Sequence, residues 1–86
     1  MVTTAFDYKV EGANNIHLVG DFNEWDINTN PMEKTESGDF KLILDLEPGQ
    51  YNYKYLVDNK WHNDPASDEA SNDESGNLNS IKNVKS

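Results

Sequence analysis

Two tryptophans of this sequence lie among residues that suit a solvated turn. Trp25 occurs in "GDFNEWD", and Trp61 follows "VDNK" and precedes "HND". An indole offers a flat apolar face, and the neighbouring asparagine, aspartate and lysine side chains offer hydrogen bonds. This combination suits a sugar ring, which has an apolar C–H face and a rim of hydroxyl groups. The alternative is that each indole folds back over the edge of the core.

Lys54 is the third residue of this candidate site. In the segment 51–55 tyrosines alternate with polar residues, so Lys54 lies on the strand face opposite the tyrosines. A tight turn at Asp58 and Asn59, with Asn59 in the left-handed conformation, would bring Lys54 beside Trp61. The alternative is that Lys54 is an ordinary solvated lysine of the strand.

Other kinds of site find little support in the sequence. None of the 16 acidic residues lies in an apolar run that would raise the pKa of its carboxyl, as the general acid of a glycosidase requires. The stretch "DEASNDESG" lacks the ligand pattern of an EF-hand, and His17 and His62 without any cysteine make a weak metal site. Phosphate-binding glycine loops and nucleophile elbows do not occur. We therefore expect no catalytic residue, no metal and no cofactor.

The composition limits the domain organisation and the partners. A chain of 86 residues buries only about 60% of its unfolded surface, which predicts one domain, residues 1–86, without a deep cleft. The net charge of -9, with seven lysines and no arginine, disfavours nucleic acid as a partner. The sequence contains no apolar run of about 18 residues and no secretory pattern, so we expect a cytoplasmic protein without a membrane partner.

Apolar residues recur with period two, which is typical of half-buried strands. The alternation covers residues 6–10, 16–20, 40–46 and 51–57, and Ile81 and Val84 form a last apolar stretch that is slightly out of register. We expect about six to eight short antiparallel strands in an immunoglobulin-like β-sandwich. The turn "EPGQ" predicts that 40–46 and 51–57 form a hairpin, and 81–84 suits a closing edge strand.

The segment 62–77, "HNDPASDEASNDESGN", contains no large apolar residue. A loop of this length without structure is uncommon in a compact domain, and such loops are either functional or disordered. The simpler interpretation is a solvated acidic connector.

Three stretches of the sequence resemble a known family. "IHLVGDFNEWD", "GDFKLILDLEPGQYNYKYLVDNKWHNDP" and "GNLNSIKNV" look like the glycogen-binding modules of carbohydrate-binding module family 48. Such modules occur in the β-subunit of AMP-activated protein kinase and beside the catalytic domains of isoamylases, pullulanases and glycogen-branching enzymes. The resemblance extends from about Phe6 to Val84. It implies an early-set sandwich that binds α-1,4-glucans, such as glycogen, starch and maltooligosaccharides, without catalysis.

The resemblance also implies a set of carbohydrate-binding residues. The two stacking tryptophans of the family fall on Trp25 and Trp61, and its sugar-contacting lysine falls on Lys54. The asparagine before the last strand falls on Asn79, which the acidic loop would deliver to the site. Ser75 stands where the kinase modules have a leucine that reaches through a ring of bound glucose units.

This sequence departs from the family at two turn positions as well. Glu24 stands where the family has asparagine, and Asn59 where it has glycine. Neither change removes a stacking surface. The replacement of leucine by Ser75 favours an alternative function, in which an early-set interaction domain docks an amylolytic enzyme or a kinase partner and has little affinity for sugar. A free-standing glycosidase is the third class, and the acidic residues give it little support.

Overall fold

The computed structural model of the protein describes residues 1–65, 67, 69–72 and 78–85. Within those residues the chain forms eight strands and one 3₁₀ turn, Asp21–Asn23. The strands are β1 (Val2–Tyr8), β2 (Ile16–Gly20), β3 (Glu33–Lys34), β4 (Phe40–Leu46), β5 (Gly49–Val57), β6 (Lys60–His62), β7 (Glu69–Asn72) and β8 (Leu78–Val84). In this part of the chain no helix has the length and apolarity needed to cross a membrane.

The strands form two antiparallel sheets. One has the order β1-β4-β3, and the other has the order β2-β5-β8-β7. The short strand β6 pairs with the C-terminal end of β5. The apolar faces of the two sheets meet in one core, in which the Phe6 ring of β1 packs edge-on against Tyr53 of β5. The all-β, immunoglobulin-like sandwich predicted from the alternation is thereby confirmed.

The predicted hairpin of 40–46 and 51–57 is wrong. β4 pairs with β1 and β3, whereas β5 pairs with β2, β6 and β8, so the turn between them carries the chain from one sheet to the other. Both strands have a row of large apolar side chains on one face, and these rows bury each other when the strands lie face to face. A tight turn is compatible with either arrangement, which is why the turn signal alone misled the prediction.

The acidic segment contains a strand that the alternation did not predict. β7 (Glu69–Asn72) pairs with β8, and β8 lies between β5 and β7 rather than at the edge of the sheet. The sequence of β7, "EASN", has no large apolar residue, so its pairing depends on backbone hydrogen bonds that hydropathy does not reveal. The interpretation of 62–77 as a loop throughout is therefore wrong for these four residues and for His62, which ends β6.

The outer edge of β2 is covered by the segment that follows the Trp25 loop. Leu18 N donates to Asn30 O at 2.9 Å, and Met32 N donates to Ile16 O at the same distance. Pro31 lies between these two bonds, opposite His17. After Met32, which is buried in the core, the chain enters β3 of the other sheet.

The inner face of β5 carries a hydrogen-bonded pair of tyrosines. Tyr53 and Tyr55 are fully buried, and their hydroxyls donate to Oδ2 of Asp64 at 2.6 and 3.0 Å. The backbone N–H of Asp64 donates to Ser80 Oγ at 2.7 Å. Burial, with the Asp64 carboxylate beside it, raises the pKa of Tyr55 far above its usual value. Asp64 thus fastens the segment after β6 to the core.

Candidate functional site

The outer face of the five-stranded sheet brings Lys54 and Trp61 together. Lys54 and Leu56 alternate along β5 with the buried tyrosines, so they point away from the core. Leu56 is directly opposite Trp61 of β6, and paired residues of antiparallel strands point to the same face. Trp61 therefore lies on the same face as Lys54, one step further along β5, with 51% of its surface exposed.

The turn between β5 and β6 sets the position of Trp61. Asp58 and Asn59 both have positive φ, 46° and 68°, as a two-residue hairpin turn of type I′ requires. The left-handed conformation predicted for Asn59 is confirmed. The Asp58 carboxylate accepts from the backbone N–H groups of Asn14 and Asn15, and these bonds lower the pKa of Asp58 below its usual value. The turn is thereby tied to the loop that precedes β2.

Asn79 of β8 lies next to Lys54 on this face. The register of β5 and β8 places Ser80 opposite the buried Tyr53, so Asn79, the preceding residue, points to the outer face. Asn79 is half-buried. Ser75, the remaining residue predicted for the site, lies outside the residues that the structure describes.

The Trp25 loop has an unusual backbone that Asn23 holds in place. After the 3₁₀ turn, Glu24 and Trp25 both have left-handed φ values, 56° and 59°, which bulky residues rarely adopt. The Asn23 side chain accepts from Gly20 N at 3.1 Å and donates to Leu18 O at 2.9 Å and to Asn30 Oδ1 at 2.7 Å. The asparagine of the "GDFNEW" motif is therefore a structural residue of the loop.

Gly20 lets this loop approach β5 closely. A Cβ atom at Gly20 would lie 2.5 Å from Asn52 O and 2.8 Å from Tyr53 Cβ. Both distances are shorter than van der Waals contact, so any larger residue would push the loop away from the sheet. The glycine of the motif is required by packing rather than by its φ angle.

The indole of Trp25 lies on the same face as Trp61, but at the other end of it. Its Nε1 donates to Asp21 Oδ1 at 3.0 Å, and the other oxygen of Asp21 accepts from the backbone N and from the side-chain Nδ2 of Asn52. Asn52 is on the outer face of β5, two residues before Lys54. Trp25 is 37% exposed. The order along β5 is thus the Trp25 loop at Asn52, then Lys54, then Trp61 at Leu56.

A buried apolar layer underlies these side chains. Val19, Leu56 and Ile81 are buried, but they point to the outer face and do not belong to the core cluster between the sheets. Their burial therefore comes from groups outside the core between the sheets. Sequence reasoning did not identify this layer. The signals were apolar residues that depart from period two: Val19 directly after Leu18, Leu56 on the polar side of its strand, and Ile81 three residues before Val84.

An open cavity of about 320 Å³ lies beside this layer. Its walls include His17 and Leu56 of the sheet, Ile27 and Asn28 of the Trp25 loop, and Asn59 of the hairpin turn. Four of its eight lining residues are asparagines and Asp58 adds a carboxylate, so the cavity offers hydrogen-bonding groups to a polar ligand. Among the described residues there is no group of three or more His, Cys, Asp or Glu that could hold a metal ion.

Comparison with known proteins identifies relatives over most of the chain. The family model described as the glycogen recognition site of AMP-activated protein kinase matches residues 2–86. Protein FLOURY ENDOSPERM 6, chloroplastic, of Oryza sativa subsp. japonica is 43% identical over 53 residues, which are 62% of this chain and 10% of that protein.

Two further relatives match a larger share of the chain. The 5'-AMP-activated protein kinase subunit beta-2 of Homo sapiens is 36% identical over 75 residues, 87% of this chain and 26% of that protein. Protein PTST homolog 2, chloroplastic, of Arabidopsis thaliana is 42% identical over 65 residues, 76% of this chain and 12% of that protein. The chain therefore spans between about a tenth and about a quarter of the length of these three relatives.

Proposed function

The chain belongs to the family of the glycogen recognition site of AMP-activated protein kinase, and we propose that it binds α-1,4-glucans on the outer face of its five-stranded sheet without catalysis. The observation that carries this proposal is the arrangement of two exposed indoles at opposite ends of one sheet face. Lys54 and Asn79 lie between the indoles, above a buried apolar layer. We infer that glycogen, starch and maltooligosaccharides are its ligands.

Each residue of the face has a role that its chemistry supports. Trp25 and Trp61 stack on the apolar faces of glucose rings. Lys54 donates hydrogen bonds to sugar hydroxyls, and the amide of Asn79 both donates and accepts. Ser75 replaces an apolar contact of the family with a hydroxyl, so it contributes a hydrogen bond at most.

The expected affinity is modest. If stacking on each indole removes on the order of 80 Å² of apolar surface from water, the two indoles contribute roughly 4 kcal/mol to binding at about 25 cal/mol per Å². This figure does not include the costs of ordering the ligand. Hydrogen bonds and these costs partly cancel. We therefore expect a dissociation constant between about 10 μM and 1 mM for maltoheptaose.

Isothermal titration with maltoheptaose and β-cyclodextrin, accompanied by chemical-shift mapping, tests the proposal. We expect saturable heat with maltoheptaose and shifts confined to the outer face. Cellohexaose, which is one unit shorter and has β-1,4 linkages, is the control ligand and should bind more weakly. The absence of both heat and shift changes at millimolar maltoheptaose would contradict the proposal.

The biological setting of the chain is inferred from the same family. We propose that residues 1–86 act as a single binding module, accessory to a catalytic domain or a kinase subunit. Relatives of this chain include beta subunits of 5'-AMP-activated protein kinase, which supports a partner of that kind. The cytoplasmic location expected from the sequence stays a prediction.

A second candidate function is favoured by Ser75. Loss of the family leucine at this position removes an apolar contact to sugar, as expected of an interaction domain that docks an enzyme or kinase partner and has little sugar affinity. The titration distinguishes the two functions, because only the glucan-binding module takes up maltoheptaose.

A further inference from the structure

We propose that Asp21 is a positioning residue for glucan binding, because its carboxylate fixes the indole of Trp25 in the orientation that stacks on a sugar. This inference rests on the proposed function and goes beyond it. Asp21 is the second residue of the "GDFNEW" motif, and neither the alternation of the sequence nor the family resemblance gives it a role.

The contacts of Asp21 connect the indole to the sheet. Oδ1 accepts from Trp25 Nε1 at 3.0 Å. Oδ2 accepts from the backbone N of Asn52 at 2.8 Å and from its Nδ2 at 3.2 Å. Hydrogen bonds to an ionised carboxylate are stronger than neutral ones. A single side chain thus joins a loop indole to the outer face of β5.

Trp25 needs such a contact more than Trp61 does. Its backbone is left-handed at φ 59°, directly after another left-handed residue, and such conformations persist only when the surroundings hold them. Trp61 lies in a regular strand pair, where the register with Leu56 sets its direction. An indole that is already oriented loses less conformational entropy when a sugar binds.

The hydrogen-bonding pattern requires a carboxylate rather than an amide. The three groups that face Asp21 are all N–H donors, two of them from Asn52. An asparagine at this position would offer one oxygen acceptor and one NH₂ donor, so its NH₂ group would face either the indole N–H or the Asn52 donors. Asp21→Asn therefore breaks part of the link with almost no change in volume.

The matched control is Asp26→Asn. It removes the same charge from the same loop, but the oxygen of the new amide can still accept from Asn28 N, the bond that Asp26 Oδ1 makes now. Electrostatic effects of the lost charge therefore appear in both variants. Effects of releasing the indole appear only in Asp21→Asn.

The first readout needs no sugar. In ¹⁵N-labelled protein, Asp21→Asn should shift the indole N–H resonance of Trp25 and lower its order parameter, while the resonance of Trp61 stays in place. Asp26→Asn should leave both indole resonances nearly unchanged. An unaltered Trp25 resonance in folded Asp21→Asn would overturn the proposal. Because this readout is independent of ligand, it stands even if glucan binding itself fails.

The second readout is a double-mutant cycle of maltoheptaose affinity. Asp21→Asn should weaken binding about threefold to tenfold, which is the range expected for one side chain that must be ordered on binding. In the Trp25→Ala background the same change should alter the affinity less than about twofold, because no indole remains to be positioned. A loss of equal size in both backgrounds would overturn the proposal and indicate direct contact between Asp21 and sugar. Should Asp21→Asn not fold, Asp21→Ala gives the same readouts without placing a donor against Asn52.

Discussion

The two faces of β5 use neighbouring residues for opposite purposes. Tyr53 and Tyr55 are fully buried, and their hydroxyls are held by Asp64. Lys54, between them in sequence, points away from the core toward the side of the sheet that carries Trp61. Since successive residues of a strand alternate between faces, a substitution on one face can change stability while a substitution on the other face changes binding. The inner face determines whether the module folds, and we propose that the outer face determines what it binds.

Truncation of the inner face should have the largest effect. Tyr53→Ala is expected to lower the free energy of unfolding by about 3 kcal/mol or more, because it leaves a cavity and removes a donor from Asp64. Denaturant unfolding measures this change. Retention of nearly full stability would show that the inner face is not the determinant of folding.

High pH should also act on the inner face. Burial raises the pKa of Tyr55 above its usual value of 10.0, so the folded protein keeps this phenol protonated when the unfolded chain would lose the proton. The contribution of Tyr55 to stability should therefore be constant between pH 8 and about pH 10 and fall above it, by at most about 1.4 kcal/mol per pH unit. Denaturant unfolding between pH 8 and pH 11 measures the slope, and Tyr55→Phe should reduce it.

Truncation of either indole should affect binding rather than folding. Trp25→Ala and Trp61→Ala are each expected to weaken glucan binding by more than about 1 kcal/mol and to leave unfolding largely unchanged. A thermal melt and a maltoheptaose titration on each variant measure both properties. If either variant lowers the melting temperature as much as Tyr53→Ala does, that indole covers the core and does not serve as a platform.

Lys54→Ala should give a smaller loss of binding with a neutral effect on folding. We expect about 0.5–1 kcal/mol, the usual net contribution of a hydrogen bond. The titration that measures the tryptophan variants also measures this one. Leu56→Ala is a useful contrast, because Leu56 is buried under the same face and its truncation should lower stability as well. A Lys54→Ala variant that unfolds more easily would show that its aliphatic stem is needed to cover this layer.

The smallest effect is expected at Glu24. This residue has a left-handed φ of 56°, where asparagine is several times more frequent than other non-glycine residues. Glu24→Asn should therefore raise the free energy of unfolding by a few tenths of a kcal/mol, up to about 0.5. Denaturant unfolding of Glu24→Asn beside Glu24→Gln separates backbone conformation from charge. Equal stability of the two variants would show that the left-handed backbone at position 24 does not favour asparagine.

The alternation of the sequence predicted the faces but not the pairing of the strands. Period two is a local property, so it placed Tyr53 and Lys54 on opposite faces. Which strand lies beside which depends on long-range packing, and the turn at Pro48 fits a hairpin and a crossing between sheets equally well. β7 was missed because its pairing uses backbone groups, which are the same in every residue.

The candidate site was predictable only in part. The exposed aromatic residues and the family resemblance pointed to Trp25, Trp61, Lys54 and Asn79, and the structure brings these four to one face. The structural role of Asn23 and the link through Asp21 depend on distances between atoms that are far apart in sequence. The types and spacing of residues in a sequence do not determine such distances, so these two roles could not be predicted from it.

The proline opposite His17 has a consequence for copies of this module that would crowd together on one polysaccharide if the proposed function holds. β2 is an edge strand, and an uncovered edge can recruit a strand from another molecule. Asn30 and Met32 take up the hydrogen bonds of β2, and the residue between them, Pro31, faces outward without any N–H to offer. A neighbouring chain that approaches this edge finds no donor at its centre. The missing donor should therefore disfavour edge-to-edge pairing at the side of the sheet where Trp25 lies, also at the high local concentration that a shared glucan particle would create.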